Sequence, residues 1–149
     1  MVTTAAPARV VRVDGSHLHA LTEFYREVWD RAATVSGVQQ SRAAAAERNI
    51  ADPGAAIPTY LFMPGERALG HLTTIPLRLW LDQSDRAAHW LKGLMVLPEA
   101  RNGPVGFLLL KSAIAELNPT LALVVEPEAI RLYTALGFTD VGVMPNYVL

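Results

Sequence analysis

Residues 96–111 read VLPEARNGPVGFLLLK: an apolar strand end, a loop with two prolines and two glycines, and then an apolar helix. Pro104 suits the first position of that helix, because its φ is already helical and its missing N–H has no partner there. The unpaired N–H groups and the dipole of a helix N-terminus attract anions, and Arg101 adds a full positive charge. The segment therefore predicts either a phosphate-binding loop or an ordinary strand-to-helix turn.

The elements on either side of this loop predict a crossover between two parallel strands. A long apolar strand over residues 87–97 precedes the loop, and a short apolar strand over residues 121–125 follows the helix. Connections of this kind are right-handed. A further helix opens at Pro127 and ends at Gly137, a typical glycine after a helix, with Phe138 packing back on it.

The whole chain predicts a mixed α/β fold, mostly antiparallel, with helices on both faces of a six- to seven-stranded sheet. The expected order is β-α-α-β-β-β-α-β-α-β, with the three central strands joined by short turns. The expected strands cover residues 8–13, 59–63, 67–81 with an edge or bulge at Pro76, 87–97, 121–125 and 140–149. The first two helices are expected over residues 16–30, with Ser16 as the cap, and 38–50. The third has the expected buried stripe Phe107, Leu110, Ile114 and Leu117.

Composition limits the classes of protein that fit. A chain of 149 residues with 51% hydrophobic and 18% charged residues suits one globular domain, residues 1–149. Its 13 basic and 14 acidic side chains give a net charge of −1, which argues against nucleic-acid or anionic-membrane binding. The absence of cysteine and of a His/carboxylate cluster predicts no metal site. Without a membrane-spanning stretch or a signal peptide, a cytoplasmic protein is expected.

A second motif, EAIRLYTALGF over residues 128–138, places Tyr133 on the fourth helix. The ordinary interpretation of a helical tyrosine is an aromatic that packs on the core. The alternative is that its phenol acts as a general acid.

The two motifs, with a strand between them, resemble the GNAT superfamily of N-acetyltransferases. The resemblance is specific over residues 93–138, and the order of elements is also that of the family. It implies acetyl-CoA as cosubstrate and direct acetyl transfer to the primary amine of a small molecule or an amino sugar. It also implies that strands four and five splay apart to admit the pantetheine arm.

The resemblance assigns cofactor-binding roles to the end of strand four and to the loop that follows. The backbone of Leu94 and Val96, on either side of Met95, would pair with the pantetheine arm and the acetyl carbonyl. The pyrophosphate would lie against Arg101, Asn102, Gly103, Pro104, Val105 and Gly106. Tyr133 would protonate the departing thiolate, a suitable task because a phenol has a pKa of about 10 and a thiol one of about 8.5.

The sequence departs from the family pattern in three features: two residues and the number of strands. Pro104 replaces the first glycine of the loop and so removes one N–H donor, which would weaken CoA binding about ten- to a hundredfold if nothing compensates. Glu126 stands where many members have asparagine, and it would either cap the helix or bind an amine. The chain ends in strand six, where the family has a seventh strand. Either this is a fragment or a partner supplies that strand, as in a homodimer through the strand-six edge.

The general base and the acceptor are less defined. His71 on strand three and His89 on strand four are each either a general base, acting directly or through water, or a hydrogen-bonded structural histidine. The acceptor would lie against helices one and two and strands three and four, where no motif is evident. Two functions stay open: an N-acetyltransferase, or a GNAT-like module that senses CoA or dimerises without catalysis.

Overall fold

A computed structural model of the chain describes residues 8–123 and 126–143. These residues form a five-stranded sheet in the order β1-β2-β3-β4-β5, in which the first three pairs are antiparallel and β4 pairs with β5 in parallel. The strands are β1 Arg9–Arg12, β2 Thr59–Met63, β3 Gly70–Leu81, β4 Ser84–Val96 and β5 Thr120–Ala122. The α-helices are α1 Leu18–Val28, α2 Val35–Glu47, α3 Val105–Glu116 and α4 Pro127–Ala135.

The mixed α/β class and the mostly antiparallel sheet are confirmed, but the number of strands is not. The described residues contain five strands instead of six to seven. Most of the predicted sixth strand, residues 140–149, lies outside the described residues, and residues 140–143 form no regular structure. The expected homodimer through that strand therefore stays a prediction.

Pro76 was expected at an edge or bulge in a strand that begins at Arg67. The structure has an unbroken β3 that begins at Gly70 and pairs Pro76 with His89. The His89 amide donates to the Pro119 carbonyl at 3.2 Å, on the β5 side, so the Pro76–His89 pair is not hydrogen-bonded. Strand β2 begins at Thr59, opposite Thr73, and runs away from Pro76. The proline nitrogen therefore faces a side of β3 that has no strand among the described residues. The predicted edge position of Pro76 is therefore confirmed among the described residues, and the strand tolerates proline there because no ladder bond is lost.

Two further boundaries differ because of side-chain caps. Asp14, not Ser16, caps the first helical segment: its carboxylate accepts the Ser16 amide at 2.8 Å, and a short 3-10 turn precedes α1. Thr34 accepts the Gly37 amide at 3.1 Å, so α2 begins at Val35 rather than at residue 38. Both caps satisfy amides that a helix start leaves unpaired.

The core consists of two layers, one on each face of the sheet. Leu61 and Met63 of β2 pack with α1 and α2, whereas Tyr60 and Phe62 pack with α3. This alternation is that of a strand covered on both faces. All the described residues of β2 are buried as a result.

Helix α3 lies directly on β3 at Gly70. A Cβ on Gly70 would be 2.5 Å from Val105 Cγ1 and 2.9 Å from Leu109 Cδ1, so only glycine fits there. The expected stripe of α3 is partly wrong: Phe107 is 38% exposed, while the buried residues are Val105, Leu109, Leu110, Ala113 and Leu117. Phe107 points along the side of the helix that borders a cleft, described below.

A β-bulge interrupts the pairing of β3 and β4. His71 lies opposite Met95 but Thr73 lies opposite Lys92, so β4 carries one extra residue. Gly93 has a φ of +64°, a left-handed conformation that favours glycine. The bulge separates the part of β4 that pairs with β5 from residues 94–96, which lead into the loop before α3.

Candidate active site

A cleft of about 490 Å³ opens between the end of β4 and the start of α3. We call it the CoA cleft, after the ligand that the sequence predicts there. Six of the nine predicted cofactor-binding residues line it: Leu94, Met95, Val96, Arg101, Gly103 and Gly106. Phe107 and Leu132, which the sequence analysis did not assign to the site, complete the lining.

One wall of the cleft is an open strand edge. Strand β5 pairs with β4 only along residues 89–91, so within the described residues nothing pairs with residues 92–96 on that side. Free backbone groups at such an edge can bind an extended ligand as an added strand would. The predicted splay of strands four and five stays a prediction, because residues 124 and 125 lie outside the described residues.

The opposite wall is the N-terminus of α3. The first intrahelical bond runs from the Leu108 amide to the Pro104 carbonyl at 2.9 Å, which leaves the amides of Val105, Gly106 and Phe107 without an intrahelical acceptor. Gly106 lines the cleft, and a Cβ built on it would meet no atom within 4 Å. Packing therefore does not require glycine at this position, and its missing side chain leaves the helix start open to the cleft.

Arg101 is the cationic residue of the CoA cleft. Its Nε donates to the Val96 carbonyl at 3.1 Å, which holds the exposed guanidinium over the end of β4. Asn102, Pro104 and Val105 do not line the cleft. The side chain of Val105 is buried in the core against Gly70.

Tyr133 lies on α4, one residue beyond Leu132 of the cleft lining. Its ring packs edge-to-face on Phe138 at 5.0 Å, and burial raises the pKa of its phenol. The predicted end of this helix is confirmed: Gly137 has a φ of +88°, and the Phe138 amide donates to the Tyr133 carbonyl at 3.1 Å. Glu126 occupies the N-cap position of α4, but its side chain accepts no hydrogen bond from the helix start, so the capping alternative is not supported.

His71 is enclosed beneath the β4 bulge. It is 1% exposed and packs on Phe24 with ring centroids 5.6 Å apart. Its Nδ1 lies 2.9 Å from the Gly93 carbonyl, so this nitrogen carries the proton, and Nε2 can accept from the Tyr25 hydroxyl at 3.4 Å. Burial lowers the pKa of His71 to about 4, although the bond to Gly93 opposes the shift. The imidazole is therefore neutral at physiological pH, with both nitrogens engaged.

His89 lies on the other face of the sheet. It is two residues from Leu91, which packs with α3, whereas His71 packs with α1. Burial lowers the pKa of His89, and the nearby Arg12 lowers it further. The structure therefore does not bring the two histidines together.

A second site lies on the α1 and α2 side of the sheet. Two cavities of about 410 and 430 Å³ share Tyr25, Ser41 and Arg42, and we call them together the acceptor groove. The sequence analysis placed the acceptor against these elements but named none of these residues. No short motif could have found the groove as a whole, since its lining comes from α1, α2, β2 and β3.

A metal-binding cluster and a membrane-spanning helix are both absent from the described residues. Residues 8–123 and 126–143 hold no group of three or more His, Cys, Asp or Glu side chains placed to bind a metal ion. No helix in the same part of the chain has the length and hydropathy needed to span a bilayer.

The fold is that of N-acetyltransferases. It matches solved structures of that class along nearly the whole length of both chains, although no family model and no curated protein sequence matches this chain. The aminoglycoside N-acetyltransferase AAC(6')-Iy in complex with CoA has a TM-score of 0.65 at 17% identity, covering 100% of this chain and 99% of that one. A Trypanosoma brucei acetyltransferase has a TM-score of 0.66 at 19% identity, with 96% and 100% covered. AAC(6')-IG from Acinetobacter haemolyticus has 0.61 at 15% identity, with 95% and 97% covered.

Proposed function

We propose that this chain transfers the acetyl group of acetyl-CoA to a primary amine of a small molecule. The observation that carries the proposal is the convergence, in one cleft, of a β4 edge without a partner strand among the described residues, a helix N-terminus and Arg101. An extended thiol arm with a pyrophosphate needs these three features. The acetyltransferase fold of the chain and the CoA bound to AAC(6')-Iy support the same ligand.

Different residues of the cleft would bind different parts of acetyl-CoA. Arg101 and the free amides at the start of α3 would hold the pyrophosphate, since both direct positive charge into the cleft. Residues 94–96 would pair with the pantetheine arm through their backbone. Acetyl-CoA supplies an activated acyl group, whose carbon the bound amine attacks.

Tyr133 is proposed as the acid. When the new C–N bond forms and the C–S bond breaks, the sulfur keeps the electron pair and takes the phenol proton. A phenol is protonated at neutral pH, which an acid requires, whereas burial raises the pKa of Tyr133 and so makes the phenol a weaker donor. The amine loses its own proton to water, and the Tyr133 phenolate takes up a proton from solvent, which restores the acid.

His71 is proposed to have a structural role. His71 holds the carbonyl of Gly93 and so fixes the bulge that precedes the cleft. A base with a pKa of about 4 would hold almost no proton at pH 7, so His71 is poorly matched to accept one from an ammonium group.

The proposal is tested by thiol release from acetyl-CoA with a panel of primary amines. The chain contains no cysteine, so every free thiol detected comes from CoA. Amine-dependent release, with the acetylated amine found by mass spectrometry, is the expected result. Binding of acetyl-CoA without release on any amine would instead favour a CoA-sensing module. If the chain neither bound acetyl-CoA nor released thiol from it, the proposal as a whole would be contradicted.

A further inference from the structure

Arg42 occupies an unusual position among the arginines of the chain. Arg12, Arg26, Arg67 and Arg78 each pair with a carboxylate at the surface. Arg42 is partly buried, and no carboxylate among the described residues lies within 4.0 Å of its guanidinium. Arg26 and Arg42 are the two partly buried arginines of the described residues; Arg26 pairs with Glu23, whereas Arg42 has no carboxylate partner there.

The bonding capacity of Arg42 is largely unused. The guanidinium has five N–H donors, and within the described residues one hydrogen bond is formed, from Nη1 to Thr59 Oγ1 at 3.0 Å. Burial lowers the pKa of Arg42, which reflects the cost of keeping a charge away from water. A charge held at such a cost, without a partner, is typical of a binding site.

The surroundings of Arg42 favour an anion. It lines both cavities of the acceptor groove, and the larger cavity has Arg48 as its second charged residue and no carboxylate in its lining. Ser41, Thr59, Thr73 and Thr74 also line this cavity, although the hydroxyls of Thr59 and Thr74 are buried and form hydrogen bonds within the protein. Apolar side chains complete the lining: Ala45, Ile50, Ile57, Ile75 and Pro76.

The groove is connected to the CoA cleft by two hydrogen bonds. Tyr25 lines both cavities, and its hydroxyl lies 3.4 Å from His71 Nε2. His71 Nδ1 bonds the carbonyl of Gly93, the residue before Leu94 of the CoA cleft. These contacts join the lining of the groove to the β4 bulge that precedes the CoA cleft.

We propose that Arg42 binds a carboxylate of the acceptor, so that the substrate is a primary amine with a carboxylate and an apolar body. The planar guanidinium can give a carboxylate two parallel hydrogen bonds, which a neutral amide cannot match. This inference rests on the proposed function, and it makes Arg42 the residue that determines specificity. The aminoglycoside acetyltransferases among the neighbours are named for a different kind of acceptor.

Binding of matched ligands tests the inference without requiring acetyl transfer. The probes are leucine, methionine and phenylalanine, each beside its C-terminal amide, with O-phosphoethanolamine as the phosphate-bearing amine. Calorimetry is run on the full chain saturated with CoA. We expect at least one free acid to bind about tenfold or more tightly than its amide, and more tightly than O-phosphoethanolamine.

Three variants locate the effect. Arg42→Gln should remove the preference for the acid and leave amide binding unchanged, and Arg42→Lys should restore part of it, because it keeps the charge but not the planar fork. Arg86→Gln makes the same charge change on the exposed β3–β4 hairpin and should leave the affinities for the acid and the amide unchanged. Urea unfolding should show Arg42→Gln to be as stable as the native chain, since it removes a desolvated charge.

The outcomes separate this inference from the proposed function. Four results would overturn the role of Arg42. They are equal binding of acid and amide, no binding of any free acid, tighter binding of O-phosphoethanolamine than of the free acids, and equal losses of affinity for acid and amide in Arg42→Gln. Acetylation only of amines that lack a carboxylate would leave the proposed function intact and overturn the inference. Selective acid binding that depends on Arg42, without acetyl transfer to any amine, would support Arg42 as a carboxylate-binding residue and contradict the proposed function.

Discussion

The CoA cleft and the acceptor groove lie on either side of the β4 bulge and are built from different parts of the chain. The CoA cleft consists of a strand edge, a helix N-terminus and glycines, with Arg101 as its one charged lining residue. The acceptor groove is lined by side chains from α1, α2, β2 and β3, including Arg42, Arg48 and Asp30.

This difference in construction predicts how sensitive each site is to substitution. A site made of backbone groups depends little on side-chain identity, as long as small residues keep it open. A site made of side chains from four elements changes with each substitution. We therefore expect variants in the CoA cleft to affect every acceptor equally, and variants in the groove to change which acceptor is used.

The largest effect is expected at Tyr133. Tyr133→Phe removes the proton donor and keeps the ring that packs on Phe138. Turnover should fall about a hundredfold or more, while the affinity for CoA stays unchanged, because the lost proton matters only as the thiolate leaves. Steady-state kinetics and calorimetry on the same preparation measure both. Unchanged turnover with every acceptor would exclude Tyr133 as the acid.

The next effect concerns His71 and the stability of the bulge. Burial lowers the pKa of His71 to about 4, below its ordinary value of 6.5. As the pH falls through that interval the unfolded chain takes up a proton that the folded chain does not, so the free energy of unfolding falls. Between pH 7 and pH 5 the loss from this group should be about 2 kcal/mol.

Urea unfolding of the native chain and of His71→Gln at both pH values tests this prediction. The variant lacks the titrating ring, while the carboxylates shared by both chains titrate alike, so its stability should fall less on acidification. Equal losses in the two chains would show that His71 is protonated as readily in the folded state as in the unfolded one.

A smaller effect, with opposite signs in two measurements, is expected at Gly106. Gly106→Ala adds a methyl group that meets no protein atom within 4 Å, at the first turn of α3 beside the CoA cleft. Stability should rise by about 0.5–1 kcal/mol from helix propensity, and CoA binding should weaken about tenfold because the methyl intrudes on the ligand.

Gly15→Ala is the matched control, because its Cβ also meets open space but lies far from the cleft lining. It should leave CoA binding unaltered. If Gly106→Ala bound CoA as tightly as the native chain, the helix start would not be in contact with the ligand.

The smallest effect is expected at Pro104, which precedes α3 and has no N–H. Pro104→Ala restores a donor at the helix start and should tighten CoA binding by up to about tenfold. Stability should drop by about 0.5–1 kcal/mol, because the unfolded chain gains freedom. Calorimetry and thermal unfolding measure the two changes. Weaker CoA binding in the alanine variant would mean that the proline itself contacts the ligand.

The CoA cleft was largely predictable from the sequence because its residues are contiguous. Leu94 to Val96 and Arg101 to Gly106 form one strand, loop and helix start, so their positions follow from local geometry. The exceptions have physical reasons. Val105 turns into the core at Gly70, and Phe107 borders the cleft on a helix that is apolar around most of its circumference. Periodicity cannot choose the buried face of such a helix.

The acceptor groove could not be predicted in detail. Tyr25, Arg42, Thr59 and Thr73 meet only in the folded chain, and their spacing in the sequence follows no pattern. His71 shows the same limit: its strand position was predictable, but the bond to Gly93 depends on a bulge in the neighbouring strand. Nothing local in the sequence distinguishes that histidine from a general base.

The most direct test of the central claim is calorimetric titration of the purified chain with acetyl-CoA and with CoA. The account predicts that both bind at one site with micromolar affinity, and that Gly106→Ala weakens binding while Gly15→Ala does not. Absence of binding up to millimolar ligand would contradict the assignment of the cleft between β4 and α3. Binding that is indifferent to Gly106 would contradict it equally.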